Sequence, residues 1–195
     1  MYFENTHPNT AGSLEVICGS MFSGKTEELI RRINRVKIAR RKIMIFKPTI
    51  DIRYSKQDIV SHSHNTSEAI PVQSARVITN MVSSDTNVIA IDEAQFFDEA
   101  IVEVVLELVN QGKRVICAGL DMDYMGQPFG PMPNLMAVAD DVYKCRAICM
   151  RCGHLANFSY RIAQSEQQVL IGEKQEYMPL CRSCYAELMK EKQKK

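Results

Sequence analysis

Residues 19–26, Gly-Ser-Met-Phe-Ser-Gly-Lys-Thr, constrain the fold of this chain more than any other stretch of its sequence. They satisfy every fixed position of the pattern G-x-x-x-x-G-K-[ST], a loop between a strand and a helix. Gly19 and Gly24 let the backbone curl so that its N–H groups face one concavity, which suits phosphate oxygens. Lys25 adds a charge for the β- and γ-phosphates, and the Thr26 hydroxyl is placed to ligate Mg²⁺. The motif predicts a phosphate-binding loop.

The residues around this motif have the order that such a loop requires. Residues 14–18 form a short apolar segment typical of a buried strand, and residues 26–41 have helical periodicity. The alternative is a chance match in a glycine-rich loop, but the chain has no glycine between Gly24 and Gly112. A second strand at 42–47 then completes a βαβ unit, which is expected to be parallel.

An apolar run that ends in two acidic residues provides the second part of the predicted site. The run Val-Ile-Ala-Ile before Asp92 is typical of a strand buried on both faces of a parallel sheet. Asp92 stands where a phosphate-loop protein places the carboxylate that holds Mg²⁺, directly or through water. Glu93 is a candidate general base. The alternative is an acidic pair favoured by a helix dipole, but after a phosphate-binding loop the metal and base interpretation is stronger.

The remaining pattern predicts further strands and helices with a ligand loop between them. A helix at about 95–110 has an apolar arc wider than one core contact needs, which favours cover on two sides, including another subunit. In the loop 119–133, Tyr124 and Phe129 are candidates for stacking on a planar base or for anchoring the loop. The other predicted elements are a hairpin with strands at 59–60 and 69–70, short helices at 77–82 and 134–139, and strands at 114–118 and 141–147.

Four of the seven cysteines lie in two Cys-x-x-Cys pairs. Two such pairs suit a tetrahedral zinc site, and four thiolates leave no open position for water, so the zinc is expected to be structural. The alternatives are a redox-active Cys-x-x-Cys motif and a chance occurrence of the pattern. The presence of two Cys-x-x-Cys pairs argues against both. The remaining cysteines lie in apolar strands and are interpreted as small core residues. The predicted zinc ligands are Cys149, Cys152, Cys181 and Cys184; the predicted core cysteines are Cys18, Cys117 and Cys145.

Length and charge limit the class of protein. A chain of 195 residues suits one core with a small appendage. A net charge of +1 argues against a dedicated duplex nucleic-acid binder. The sequence has no run of about 18 apolar residues and no secretory signal at its polar start, so we expect no membrane contact and a cytoplasmic location. Residues 1–13 and 189–195 are predicted to be flexible tails.

The combined motifs resemble those of the cytosolic type-II thymidine kinases, a family found in many bacteria. The resemblance covers about residues 14–188. It implies a RecA-like P-loop α/β core with a mainly parallel sheet at 14–147, and a zinc-ribbon and lasso-loop domain at 148–188. Members usually form homotetramers, and the end product dTTP typically inhibits them. The motifs are residues 19–26, Lys-Pro-Thr-Ile-Asp-Ile-Arg-Tyr at 47–54, Ile-Asp-Glu-Ala-Gln-Phe-Phe at 91–97, Gly-Leu-Asp at 119–121, Pro-Phe-Gly at 128–130, and the cysteine pairs within 149–185.

The resemblance also implies an activity and a role for individual residues. The reaction would transfer the γ-phosphate of ATP to the 5′-hydroxyl of thymidine, and of deoxyuridine, in nucleotide salvage. Glu93 matches the general base, and Thr26 and Asp92 match the magnesium site. The positions that match ATP contacts are Gly19, Ser20, Met21, Phe22, Ser23, Gly24, Lys25, Thr26, Asp92, Glu93, Ala94 and Gln95. The positions that match nucleoside contacts are Met21, Asp51, Arg53, Leu120, Tyr124, Phe129, Ser159, Gln168, Val169, Leu170, Ile171, Gly172 and Tyr177.

A second hypothesis is a P-loop ATPase whose zinc ribbon binds nucleic acid or a protein partner. The near-zero net charge and the lack of a basic, aromatic stripe weigh against binding to nucleic acid. A purely structural zinc-binding interaction protein is a third hypothesis, and the intact nucleotide motif makes it remote.

Overall fold

Short apolar runs become the strands of one parallel sheet. A computed structural model describes residues 12–49, 58–59, 67–162 and 176–193. The six strands of the sheet are β1 (Ser13–Gly19), β2 (Ile43–Pro48), β5 (Ile70–Val72), β6 (Val88–Ile91), β7 (Arg114–Gly119) and β8 (Asp141–Cys145). They lie in the order β5-β2-β6-β7-β1-β8, and every neighbouring pair is parallel. The predicted α/β class with a parallel sheet is confirmed.

Helices cover both faces of this sheet, which is why its central strands are apolar on both sides. Along β1, Ile17 packs with α1 (Lys25–Ile38), whereas Val16 and Cys18 belong to the core on the opposite face. That second core is closed by α2 (Ala75–Met81), α3 (Ala100–Asn110) and α4 (Met132–Val138). The phosphate-loop strand is therefore held between two apolar layers.

The second half of the predicted fold is a small lobe with its own apolar core. Strands β9 (Ala147–Ile148) and β10 (Leu155–Ala156) pair antiparallel, as do β11 (Phe158–Arg161) and β12 (Tyr177–Leu180). Helix α5 (Arg182–Gln193) follows them. We call these elements the cysteine lobe. Helix α5 continues to Gln193, into the segment that we expected to be a flexible tail from residue 189. The division into domains stays a prediction.

The predicted helix that follows the acidic pair differs from the structure. The helix predicted from residue 95 is wrong at its start: a single 3-10 turn spans Ala94–Phe96, Phe97 is extended, and α3 begins at Ala100. The Asp98 carboxylate accepts a hydrogen bond from the Ala100 N–H at 3.1 Å, which favours a new helix start there.

The predicted hairpin is displaced along the chain. Its strands are β3 (Asp58–Ile59) and β4 (Ser67–Glu68), and Ile70 belongs instead to β5 in the main sheet. Strand β5 contains Pro71, which is tolerated because β5 lies at the sheet edge. The last predicted strand is also shorter, because β8 ends at Cys145 and Ala147 pairs with β10 in the cysteine lobe.

The wide apolar arc of α3 is covered within this chain. Ile101, Val104, Val105 and Leu108 are buried, and the helix packs on β7 and β1 as well as on α2. The arc therefore needs no second subunit to explain it. In the ranges that the structure covers, we find no helix with both the length and the apolar character needed to span a membrane.

A buried network of ion pairs fixes α1 on the sheet. Arg32 is 4% exposed and donates hydrogen bonds to Glu15 of β1 and, at 2.8 Å, to Glu28. Arg114 of β7 contacts the same Glu15 at 2.7 Å. Hydrogen bonds from Arg31 and then from Arg32 lower the pKa of Glu28. Because breaking one partner would leave a buried charge unpaired, this network holds α1, and with it the loop that precedes α1, in one position.

Candidate active site

The phosphate-binding loop between β1 and α1 has a backbone that only its glycines can form. Gly19 has a φ of 139° and Gly24 a φ of 85°. A Cβ atom on Gly19 would lie 2.4 Å from the carbonyl oxygen of Cys145, so the loop passes directly against the end of β8. Phe22 also has a positive φ of 61°, which is strained for a residue with a side chain. The loop is bent as the sequence motif predicts.

Polar groups of this loop are placed for an anion. Lys25 begins α1, and its Nζ donates to the carbonyl oxygen of Ser20 at 2.9 Å, which keeps the ammonium over the loop. The hydroxyl oxygens of Ser20 and Ser23 are buried and have no hydrogen-bond partner among the described residues. Buried hydroxyls without a partner are costly, and the start of a helix attracts negative charge. These features fit the phosphate chain of a nucleotide.

The acidic pair lies at the same edge of the sheet as this loop. Strands β6 and β1 are separated only by β7 and all three are parallel, so their carboxyl ends meet at one edge, where α/β proteins bind ligands. Asp92 follows β6 and is 8% exposed, and one of its carboxylate oxygens accepts a hydrogen bond from the Glu93 N–H at 2.9 Å. Glu93 has a φ of 52°. A strained acidic residue of this kind is a feature of functional sites.

Gln95 connects Glu93 to the loop after β7. Its side chain is 3% exposed; Nε2 donates to the Glu93 carboxylate at 2.5 Å, and Oε1 accepts from the Leu120 N–H at 2.9 Å. Gly119 and Gly130 allow this arrangement, because a Cβ atom at either position would lie within 2.7 Å of a Gln95 oxygen. Gln95 was predicted from the resemblance as an ATP contact. The structure shows its side chain bonded within the protein, and the ATP contact stays a prediction.

The Gln95→Leu variant tests this connection. Leucine keeps much of the side-chain volume but loses both hydrogen bonds, so Glu93 is no longer oriented and the Leu120 N–H is unpaired. We expect kcat to fall by roughly 10- to 100-fold with the dissociation constant for ATP within about threefold of wild type. Steady-state kinetics and calorimetric ATP titration measure the two quantities. The control is Gln111→Leu at the exposed end of α3, and equal kcat values for the two variants would contradict the role of Gln95.

The predicted nucleoside residues lie where the loop meets the cysteine lobe. The Met21 N–H donates to the Ser159 hydroxyl at 3.0 Å, which joins the phosphate-binding loop to β11. Tyr124 and Tyr177 both lie against Arg161, whose guanidinium is 3.7 Å and 5.2 Å from their ring centroids. The structure thus brings these predicted residues into two contacting groups.

Two other predicted nucleoside contacts, Leu120 and Phe129, make contacts within the protein. Leu120 contributes its N–H to Gln95, and Phe129 is buried against Phe96 with ring centroids 5.7 Å apart. Phe129 therefore also anchors its loop, one of the two alternatives considered for it. Residues Asp51 and Arg53, and the lasso residues 168–172, lie outside the described residues.

Arg161 was missed by the sequence interpretation although a signal for it exists. Side chains two apart on a strand share a face, so Ser159 and Arg161 of β11 point the same way. Arg161 is a charged residue at the end of a strand, and it shares a strand face with a predicted ligand contact. This combination is the sequence signal for a further residue of the site.

An open cleft of about 480 Å³ adjoins the phosphate-binding loop on the side of the edge strand β8. Ser23 and Gly24 of the loop line it, together with Tyr143 and Arg146 at the end of β8. Lys144 in the same wall forms an ion pair with the buried carboxylate of Asp121 at 2.6 Å. The cleft provides space for a planar group next to the phosphates.

The four predicted zinc ligands form one cluster in the cysteine lobe. Their sulfur atoms all lie within 4.8 Å of one another. A tetrahedral zinc with bonds of about 2.3 Å places its sulfurs about 3.8 Å apart, so the donor set fits zinc. Burial raises the pKa of Cys149, but backbone hydrogen bonds outweigh burial and bring it down to about 6. Burial and the neighbouring thiols raise the pKa of Cys184 to about 12. A divalent cation would stabilise all four thiolates.

The other three cysteines are core residues, as predicted. Cys18, Cys117 and Cys145 are buried. Burial raises the pKa of Cys117 to about 12, and burial followed by the charge of Asp121 raises the pKa of Cys18 to about 11. Both thiols stay protonated and unreactive near neutral pH.

Comparison with known proteins gives a consistent result along the chain. The family model "Thymidine kinase" matches residues 12–185. A thymidine kinase of Porphyromonas gingivalis is 58% identical over 184 residues, which is 93% of this chain and 90% of that protein. A thymidine kinase of Bacteroides thetaiotaomicron is 56% identical over 174 residues, covering 89% and 87% of the two chains. One solved structure, the genome packaging NTPase B204 of Sulfolobus turreted icosahedral virus 2, overlaps with a TM-score of 0.45 at 18% identity, covering 72% and 76%.

Proposed function

Because the chain belongs to the thymidine kinase family, we propose that it transfers the γ-phosphate of ATP to the 5′-hydroxyl of thymidine. The products are thymidine monophosphate and ADP, as in nucleotide salvage. The observation that carries this proposal is the connection of Glu93 through Gln95 to the Leu120 N–H. It supports the proposal because it orients a carboxylate of strained backbone towards Gln95 and Leu120, and Leu120 is one of the residues proposed to hold the nucleoside.

Phosphoryl transfer depends mainly on positioning and on neutralising charge. Lys25 and the N–H groups of the loop bind the phosphate chain, and the two buried serine hydroxyls, unpaired within the described part of the chain, are available to it. The cleft beside Ser23 and Gly24 takes the base and ribose of ATP. Glu93 accepts the proton of the 5′-hydroxyl, which makes the oxygen a better nucleophile.

The residues present fit a magnesium ion and a zinc ion in different roles. Thr26 and Asp92 would hold magnesium, since hydroxyl and carboxylate oxygens are the ligands it prefers. Bound with ATP, magnesium neutralises phosphate charge. The cysteine cluster would hold zinc with no position open for water, so zinc supports the lobe and takes no part in the reaction.

The nucleoside is proposed to bind between the loop and the cysteine lobe. Met21 and Ser159, which contact each other, would lie near the thymine methyl group, and Tyr124 would stack on the base. Asp51 would bind the sugar 3′-hydroxyl, Arg53 would lie near the phosphates, and Gln168–Gly172 would read the edge of the base. Deoxyuridine lacks only the methyl group, which is worth about 10- to 200-fold in a hydrophobic pocket, so we propose that it is also a substrate.

Three further properties are proposed from the family resemblance. These are inhibition by dTTP, assembly into a homotetramer, and a cytoplasmic location. Inhibition by dTTP is chemically reasonable here because one molecule carries both the thymidine group and a triphosphate for the loop.

The test is ADP release with Mg-ATP and each common deoxynucleoside in turn, with product identity determined by mass. We expect turnover with thymidine, some with deoxyuridine, and little with deoxycytidine or purine deoxynucleosides. A zinc-loaded, folded sample that phosphorylates none of them would contradict the proposal. ATP hydrolysis stimulated by single-stranded DNA or RNA would then support the alternative, a P-loop ATPase whose zinc ribbon binds nucleic acid.

A further inference from the structure

We propose that Arg161 is a positioning residue of the nucleoside pocket, which holds the ring of Tyr124 and the hydroxyl of Tyr177 in place for the pyrimidine base. The inference rests on the proposed function, because it specifies how that function selects its nucleoside. Arg161 acts through the two tyrosines and is not proposed to touch the reacting atoms.

Burial is the first reason to assign Arg161 a role. It is 1% exposed and is the largest of the fully buried side chains among the described residues. A buried guanidinium is costly unless its charge and its N–H groups are satisfied. A long apolar side chain would fill this volume without that cost. The arginine therefore points to a need for directed hydrogen bonds at this position.

Two residues of the proposed pocket contact Arg161. Nε and one terminal nitrogen of Arg161 donate to the Tyr177 hydroxyl at 2.9 and 2.6 Å. This two-donor contact uses the planar fork of arginine, which lysine lacks. Both donors meet the single hydroxyl oxygen of Tyr177, so Arg161 fixes the position of that hydroxyl in the pocket.

The guanidinium also covers one face of Tyr124. It lies 3.7 Å from the ring centroid, well within the range of a cation–π contact. The Tyr124 backbone is held separately, because its carbonyl oxygen accepts a hydrogen bond from the Tyr185 hydroxyl at 2.9 Å. A base that stacks on Tyr124 must then use the other face of a ring already fixed in place. A ring that is fixed beforehand loses less conformational entropy when the base binds.

These contacts join the two parts of the molecule at the pocket. Arg161 of β11 lies directly opposite Tyr177 of β12 in the antiparallel pair, and Tyr124 belongs to the loop after β7. Ser159 lies on the same strand as Arg161 and contacts Met21 of the phosphate-binding loop. Arg161 thus organises residues on the nucleoside side of the site through Tyr124 and Tyr177, and we expect its loss to weaken nucleoside binding more than ATP binding.

The experiment measures KM for thymidine and for ATP in Arg161→Met and Arg161→Lys, together with zinc content and melting temperature. We expect Arg161→Met to raise KM for thymidine by about 10- to 100-fold. KM for ATP should stay within about twofold and zinc should remain bound. Arg161→Lys keeps the charge but not the fork, and its KM for thymidine should lie between those of wild type and Arg161→Met. The matched control is Arg182→Met, an exposed arginine of the same lobe 5.0 Å from the Phe158 ring.

Coupling to Tyr177 separates positioning from a general loss of stability. The Tyr177→Phe variant removes the hydroxyl that Arg161 orients. If Arg161 acts through that hydroxyl, the double variant Arg161→Lys/Tyr177→Phe should raise KM for thymidine by less than the product of the two single effects. If the role of Arg161 is purely structural, the rise in KM for thymidine in the double variant should equal the product of the two single rises, or KM for thymidine and KM for ATP should rise equally. Either result would overturn the proposal.

The experiment distinguishes a failure of the proposed function from a failure of the role of Arg161. Absence of thymidine phosphorylation by the wild-type protein contradicts the proposed function. Wild-type activity with an unchanged KM for thymidine in both Arg161 variants contradicts the role of Arg161 alone. If Arg161→Met does not fold, the lysine variant decides, because it retains the buried positive charge.

Discussion

Replacing Glu93 by glutamine is expected to lower kcat by about 10²- to 10⁴-fold, the usual contribution of a general base. Glutamine has nearly the same shape but cannot take the proton of the 5′-hydroxyl at neutral pH. The Ser20 carbonyl holds Lys25 and ion pairs hold α1, and both sets of contacts remain when the Glu93 carboxylate is replaced. ATP should therefore bind normally. Single-turnover kinetics give the rate of the chemical step, and calorimetry gives ATP affinity.

The matched control for this variant is Glu107→Gln on the exposed side of α3, where the Glu107 carboxylate accepts a hydrogen bond from the Gln111 side chain at 3.4 Å. It should retain wild-type kcat. A Glu93→Gln enzyme with near-normal turnover would remove Glu93 from the mechanism. A large loss of ATP affinity would instead show that Glu93 supports the phosphate site.

The second large effect is expected for Cys184→Ser. Serine is a poor zinc ligand, so the site loses one of its four donors and zinc affinity falls steeply. The hairpin β11–β12 lies in the lobe that this cluster holds together, and it carries Ser159, Arg161 and Tyr177. We expect loss of zinc by elemental analysis, faster backbone hydrogen exchange in the cysteine lobe, and a rise in KM for thymidine that exceeds the rise in KM for ATP.

Cys145→Ser is the control, since Cys145 lies at the end of β8 and outside the cluster. It should retain one zinc per chain. Full zinc occupancy in Cys184→Ser would contradict the four-cysteine site. Equal increases in both KM values would show that the lobe supports the whole enzyme instead of the nucleoside side.

The features predicted well from sequence were those that short motifs specify. The loop 19–26 requires two glycines, a lysine and a hydroxyl at fixed spacing, and the bend seen at Gly19 and Gly24 follows from those residues. The cysteine cluster was equally specific, because two Cys-x-x-Cys pairs leave few other arrangements for four sulfurs. Central strands such as β6 were predictable because burial on both faces requires a continuous apolar run.

The features that could not be predicted depend on contacts between distant residues. Gln95 lies in the recognised acidic motif, but its partner Leu120 comes from another strand end, and nothing local to the sequence indicates that bond. The end of the 3-10 turn at Phe96 was missed because the apolar residues around it also fit a helical pattern. Residues 69–70 were predicted as a hairpin strand, and only the pairing of β5 with β2 at the sheet edge, where Pro71 is tolerated, shows that Ile70 belongs to the main sheet.

The order of strands has a consequence for how the protein is made. Strand β1 pairs only with β7 and β8 among the described strands, so Ser13 lies beside Arg114 and Glu15 beside Asp141. During synthesis, the strand that carries the phosphate-binding loop has neither neighbour until most of the chain has left the ribosome. Closing so long a loop costs entropy before any contact repays it, which slows folding. The apolar β1 is thus exposed longest of all the strands, and it is where assistance by chaperones would matter most.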